Sequence, residues 1–80
     1  MDQGIIEKVE RLKAKADVFL KNDIRAFIKD FDDNFYFCDV LLVGELKLLI
    51  SNFAGKRKGE KTDLYWQDIK SIDEYSEEDQ

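Results

Sequence analysis

The densest chemistry in this 80-residue chain lies between Ala54 and Lys61. Four bases, Lys56, Arg57, Lys58 and Lys61, share that stretch with a single acid, Glu60, and Gly55 and Gly59 punctuate it. No apolar periodicity runs through it, so it reads as a loop. Clustered cations on a glycine-hinged loop neutralise phosphates, giving an affinity that falls with salt and tolerates sequence. Tyr65 and Trp66 follow directly, and aromatic rings beside a basic track stack nucleobases. The plainer role for either ring is packing within the fold or an interface; for the loop it is a solvated hairpin.

A second cluster, Asp30, Asp32 and Asp33, falls in one polar turn, where mutual repulsion raises a carboxyl pKa. A turn tip is well solvated, however, and no His or reactive nucleophile accompanies it. The chain therefore reads as non-enzymatic, with no catalytic residues and no cofactor. The carboxylate spacing matches no EF-hand loop, leaving at most a weak cation site. With no His and only Cys38, no zinc site is expected. A lone thiol on a central strand is expected to be buried and inert, and it suits a reducing, cytoplasmic setting. Asp39 beside it is expected to pair with Arg25 or Lys29 across the sheet, or to face solvent.

Eighteen acids against thirteen bases give a net charge of -5, yet all thirteen bases and thirteen of the acids fall within residues 1–72. The body is neutral and the imbalance belongs to the tail. A charge-rich chain with no Pro or His suits work at high temperature, where ion pairs cost less to desolvate. The longest unbroken apolar run, 40–43, is far too short for a bilayer, so no membrane partner is expected. Eighty residues make one domain that buries only about 60% of the unfolded surface, and association with further copies would add stability.

Periodicity supplies the elements that hold these residues. Over 3–16, Ile5, Val9, Leu12 and Ala16 mark one stripe of a short helix with Asp2 as its N-cap. Such a helix is marginal alone and must lay its stripe on an apolar sheet end. From Val18 to Phe37 apolar residues recur at alternate positions, broken at Asn22-Asp23 and Asp32-Asp33-Asn34. That pattern reads as three short strands and two tight turns. The inner face would hold Val18, Leu20, Ile24, Ala26, Ile28 and Phe37, with Lys21, Arg25 and Lys29 in water. The third strand continues to Val43, where Gly44-Glu45 either turns into a separate strand over 46–53 or bulges one long bent strand. Beyond the basic loop, 62–66 reads as a strand, Gln67-Asp68 as a very short turn, and 69–75 as a closing strand with Ile69 and Ile72 facing in. The domain covers 1–75; residues 76–80 form an acidic disordered tail.

A short N-terminal helix followed by five or six strands, with a minimal turn before the last, resembles the Sm and Sm-like family of small RNA-associated barrels. Ala16-x-Val18-x-Leu20-Lys21-Asn22-Asp23, then Ile24-x-Ala26-x-Ile28-x-x-Phe31-Asp32, then Asn34-Phe35-Tyr36-Phe37 is similar to the family's first motif, and 64–72 resembles its second. The resemblance implies a mainly β fold: an N-terminal α-helix followed by a bent five- to six-stranded antiparallel Sm-like (SH3-like) barrel. It implies a homo-oligomeric ring joined through edge strands 62–66 and 69–75. Single-stranded RNA would be held by Lys56, Arg57, Lys58, Lys61 and Tyr65, with Asp32 and Asn34. Tyr65-Trp66 stand where the family carries Arg-Gly, and Ala26 replaces a strand glycine. These departures support an alternative expectation, a structural or protein-interaction module without the RNA pocket. A third is a small SH3-like or OB-like barrel of unrelated descent, monomeric or dimeric.

Overall fold

The computed structural model describes residues 3–76. Leu12, Ala16 and Phe19 are spaced four and three apart and all three are buried, so one helical face runs past Ala16 and α1 spans Gln3–Lys21. Val18 and Leu20, expected in a first strand, belong to this helix. Their two-residue spacing fits a strand, but Phe19 between them is the residue that reaches the core. The helix ends where Asp23 turns left-handed (φ 52°) and the Ile24 amide donates to the Phe19 carbonyl at 2.9 Å. The Asn22 side-chain amide donates to the Val18 carbonyl at 2.8 Å. The first satisfies a carbonyl that the last turn leaves open, and the second adds to the Asn22 backbone N–H that the Val18 carbonyl already accepts at 3.1 Å. The Asp2 cap and the tail beyond Ser76 lie outside the described residues.

Five strands follow: β1 (Ala26–Asp30), β2 (Phe35–Val43), β3 (Lys47–Ala54), β4 (Lys61–Tyr65) and β5 (Ile69–Glu74), with one 3-10 turn, Trp66–Asp68, before β5. They form one antiparallel sheet in the order β4-β3-β2-β1-β5. The chain is thus mainly β behind an N-terminal helix, as expected, although the meander starts at Ala26. Strands β4 and β5 are its two edges and do not hydrogen-bond to each other, so the sheet stays open and does not close into the expected barrel.

Register decides which side chains form the core. Ala26 faces Cys38 and Ile28 faces Tyr36 across β1 and β2, so Tyr36, Cys38 and Val40 share the inner face. Phe37, expected to point inward, pairs with Phe27 on the outer face. Three bulges bend the ladders. Leu41 is extra on β2, Phe53 on β3 and Lys70 on β5. The last of these lets Ile69 and Ile72, three residues apart, both point inward and be almost fully buried.

Leu12, Ala16 and Phe19 of α1 join this inner face, packing chiefly against β2, β5 and the 3-10 turn, in one core with Ile28, Cys38, Leu48, Ile50 and Ile72. Trp66, 2% exposed, is core rather than a stacking ring, and its indole N–H donates to the Gly44 carbonyl at 2.9 Å. Gly44 is obligatory there, since a Cβ would lie 2.7 Å from the Lys47 carbonyl oxygen. Gly44-Glu45 therefore turns the chain between two separate strands, while the bulge falls earlier, at Leu41. Burial, reinforced by the Asp39 charge, pushes the Cys38 thiol up to about 12, which leaves it protonated and unreactive at neutral pH.

Candidate nucleic-acid interface

Two connections meet at one end of the sheet, the β1–β2 turn and the β3–β4 loop. The turn is built on Asp30, which is only 7% exposed. One carboxylate oxygen accepts the amides of Asp32 and Asn34, both at 2.9 Å. The other accepts the Asn34 side-chain amide at 3.1 Å and the Tyr36 hydroxyl at 3.3 Å. Burial pushes this carboxyl up, but the four donors outweigh it and hold Asp30 below the usual carboxylate range. The repulsion expected among Asp30, Asp32 and Asp33 is thus overridden: Asp30 stays ionised and serves as the scaffold of its turn.

The basic loop is held as firmly. Asn52, 3% exposed, donates from its side chain to the Glu60 carbonyl and the Thr62 hydroxyl, both at 2.9 Å. Its backbone N–H donates to Glu60 and its carbonyl accepts from Gly59, each at 2.9 Å. Gly55 opens the loop at φ 83°, a region that side chains rarely tolerate, and lies against the Phe37 ring. Two residues on, the Arg57 guanidinium stands 4.9 Å from the centroid of Tyr36. Phe37 and Tyr36 point to opposite faces of β2, so the loop straddles the start of that strand. Burial and the Asp30 charge push the Tyr36 hydroxyl up, against the pull of Arg57.

Between turn and loop lies a groove of about 310 Å³, lined by Asp33, Asn34, Phe35, Phe37, Asn52, Ala54, Gly55, Lys56 and Arg57. Of the residues singled out from sequence, Asn34, Lys56 and Arg57 line it. Lys58 and Lys61 are exposed beside it, and Asp32 sits on the turn tip with its amide bound to Asp30. Tyr65 is 49% exposed but occupies the opposite end of β4, paired with Lys47 and remote from the loop. Periodicity missed Phe35 and Phe37 as groove residues because it assigned Phe37 to the core; the Phe35/Phe37 and Phe27/Lys29 alternation carried the signal. Asp39 pairs with Arg25 at 3.5 Å, one of the partners expected for it.

A second groove, of about 320 Å³, runs between α1 and β5 past Lys8, Arg11, Lys15 and Lys70. Its cations are partly committed: Lys15 pairs with Asp73 at 3.4 Å, and Lys8 lies 4.0 Å over the Phe31 ring. Among the described residues no group of three His, Cys, Asp or Glu side chains could hold a metal ion, and no helix is long and apolar enough to cross a membrane. No family model, curated protein or solved structure matches the chain.

Proposed function

We propose that the protein is a non-enzymatic, Sm-like module that binds single-stranded RNA in the groove between the β1–β2 turn and the basic β3–β4 loop. The observation that carries this is the fixed loop: Asn52 and Gly55 set Lys56 and Arg57 beside a groove with aromatic walls. Cations held in place lose less freedom on meeting phosphate than cations on a floppy hairpin. Lys58 and Lys61 add charge at the rim.

Assembly into a homo-oligomeric ring belongs to the same proposal. Its support is the pair of open edges, because unpaired strand donors and acceptors invite a neighbour. Lys61 and Asp63 on β4, and Lys70, Asp73 and Glu74 on β5, require an edge partner to match charges.

Anisotropy of labelled oligouridine tests the RNA reading. Binding is expected at about 50 mM salt and should weaken steeply as salt rises, since each phosphate contact adds about 0.7 to the log–log slope for single strands. Reversing Lys56, Arg57 and Lys58 together to Glu should abolish it. A wild-type protein that ignores the oligomer at micromolar concentration and low salt would remove the RNA reading. Light scattering tests the ring separately: a mass near the 9.4 kDa of one chain would end it. A second reading, a protein-interaction module, draws on Leu42, Leu46 and Tyr65, which are exposed near the opposite end of the sheet. It expects assembly to survive the triple charge reversal and RNA to be ignored throughout.

A further inference from the structure

The sheet's outer face carries a row of rings that the groove does not account for. Phe35 stacks on Phe27 (centroids 5.6 Å apart, planes at 22°), and Phe27 meets Phe37 at 5.3 Å. Phe37 meets Tyr75 edge-on at 5.9 Å, and Tyr75 meets Phe53 edge-on at 5.0 Å. Five aromatic side chains thus form one continuous path from the basic loop across the sheet. Helix α1 packs on the other face, and among the described residues no helix or strand covers the row; each ring is at least partly open to solvent, and Phe35 is 48% exposed.

Cations mark both ends of the row. The Lys29 ammonium sits 5.3 Å above the Phe35 ring and the Arg25 guanidinium 4.2 Å above Phe53. Lys56 and Arg57 border the groove that shares Phe35 and Phe37 with the row. Carboxylates lie near as well: Asp39 is engaged by Arg25 at 3.5 Å, Asp73 by Lys15 at 3.4 Å, and Asp33 lines the groove with Lys56 and Arg57. Rings flanked by positive charge complement a ligand with flat apolar faces on an anionic backbone. Aromatic rings and Arg also serve protein partners, so it is the positive charge at both ends of the row that favours an anionic strand.

We infer that this outer face is a base-stacking platform: unpaired nucleobases of a single strand lie on the Phe35–Phe27–Phe37–Tyr75–Phe53 row while Lys29, Arg25 and the loop cations take the phosphates. The inference rests on the nucleic-acid reading of the groove and extends it by naming what is recognised, base faces rather than backbone charge alone. Stacking is sequence-tolerant because every base has a π-face, and it needs unpaired bases, which a duplex does not offer. On binding, the ammonium over Phe35 swings from ring to phosphate and yields the ring face to a base.

The test compares, by anisotropy at low salt, labelled oligouridine, an abasic oligomer with the same number of phosphates, and duplex RNA. Wild-type protein should bind oligouridine about ten-fold or more tightly than the abasic strand, the usual effect of one or more stacked bases. Phe35→Leu and Phe53→Leu should each cost about ten-fold on oligouridine, and Phe53→Leu, which lies outside the groove, should leave binding of the abasic strand unchanged. Equal binding of base-bearing and abasic strands would overturn the platform while leaving the groove reading intact. So would an effect of Phe35→Leu without one of Phe53→Leu, because Phe35 also lines the groove. Duplex binding as tight as oligouridine, or a fall in oligomer mass with either variant and no change in base dependence, would overturn it too; the latter would make the face a contact between copies. Failure of every strand to bind would overturn platform and groove together. The base-versus-abasic comparison uses wild-type protein, so a poorly folding variant cannot obscure it.

Discussion

The two faces of the sheet are drawn from alternate residues of the same strands, and they have been given opposite tasks. Inward stand Ala26, Ile28, Cys38, Leu48 and Ile50, each fully buried in the core that α1 joins. Outward, on neighbouring positions, stand Phe27, Phe35, Phe37 and Phe53 with Arg25 and Lys29 over their rings. Aliphatic side chains fill a closed interior efficiently, whereas large rings left partly in water add less to stability than they would if covered. The contrast separates residues that form the covered core from residues that the fold leaves at its surface.

That separation can be broken by mutation. The largest effect is expected at Trp66: replacing it with Ala removes the biggest core side chain and its bond to Gly44, and should cost about 3–5 kcal/mol, read by urea unfolding followed by circular dichroism. Asn52→Ala comes next, at about 1–3 kcal/mol, because it removes two side-chain hydrogen bonds from a buried amide, to the Glu60 carbonyl and the Thr62 hydroxyl. It should also weaken oligouridine binding without touching a cation; unchanged binding would mean that loop order is irrelevant to the interface.

Smaller again is the contribution of Asp30, and it depends on pH. Its folded pKa lies below the ordinary value of 3.8, so its stabilisation is fully present above the unfolded pKa and is lost as pH falls through the lower folded value. The stability gap between wild type and Asp30→Asn should therefore be constant near neutrality and close at strongly acidic pH. A gap that widened on acidification would contradict the four-donor arrangement. The smallest effect belongs to the outer face: Phe35→Leu should change stability by less than about 0.5 kcal/mol. A loss as large as that at Trp66 would make the outer rings a second core and erase the contrast between faces.

Much of this architecture was legible in the residues. Alternation over Ala26–Asp30 marked β1, Asp32-Asp33-Asn34 marked its turn, the glycines and bases of 54–61 marked the loop, and Gln67-Asp68 marked the short link between the two edges. The helix end was not legible, because Val18 and Leu20 fit a two-residue period while Leu12, Ala16 and Phe19 fit a helical one. Only tertiary contact with the sheet decides between them. The facing of Tyr36 and Phe37 was missed for a related reason: a one-residue difference in register exchanges the faces of a strand, and that register is set by hydrogen bonds to Asp30. The site was half visible. Its charges are contiguous in sequence, but Phe35, Phe37 and Asn52 join them only after the strands pair.

The 3-10 turn Trp66–Asp68 joins two strands that are chain neighbours yet stand at opposite ends of the hydrogen-bonding order. The sheet must therefore roll until its margins come within the reach of a single turn, leaving a slit that starts at Trp66 and has no ladder across it. Along that slit the molecule can breathe without rupturing any strand pair, so slit-side amides of β4 and β5 should exchange with deuterium long before those of β1 and β2, which wait for global opening.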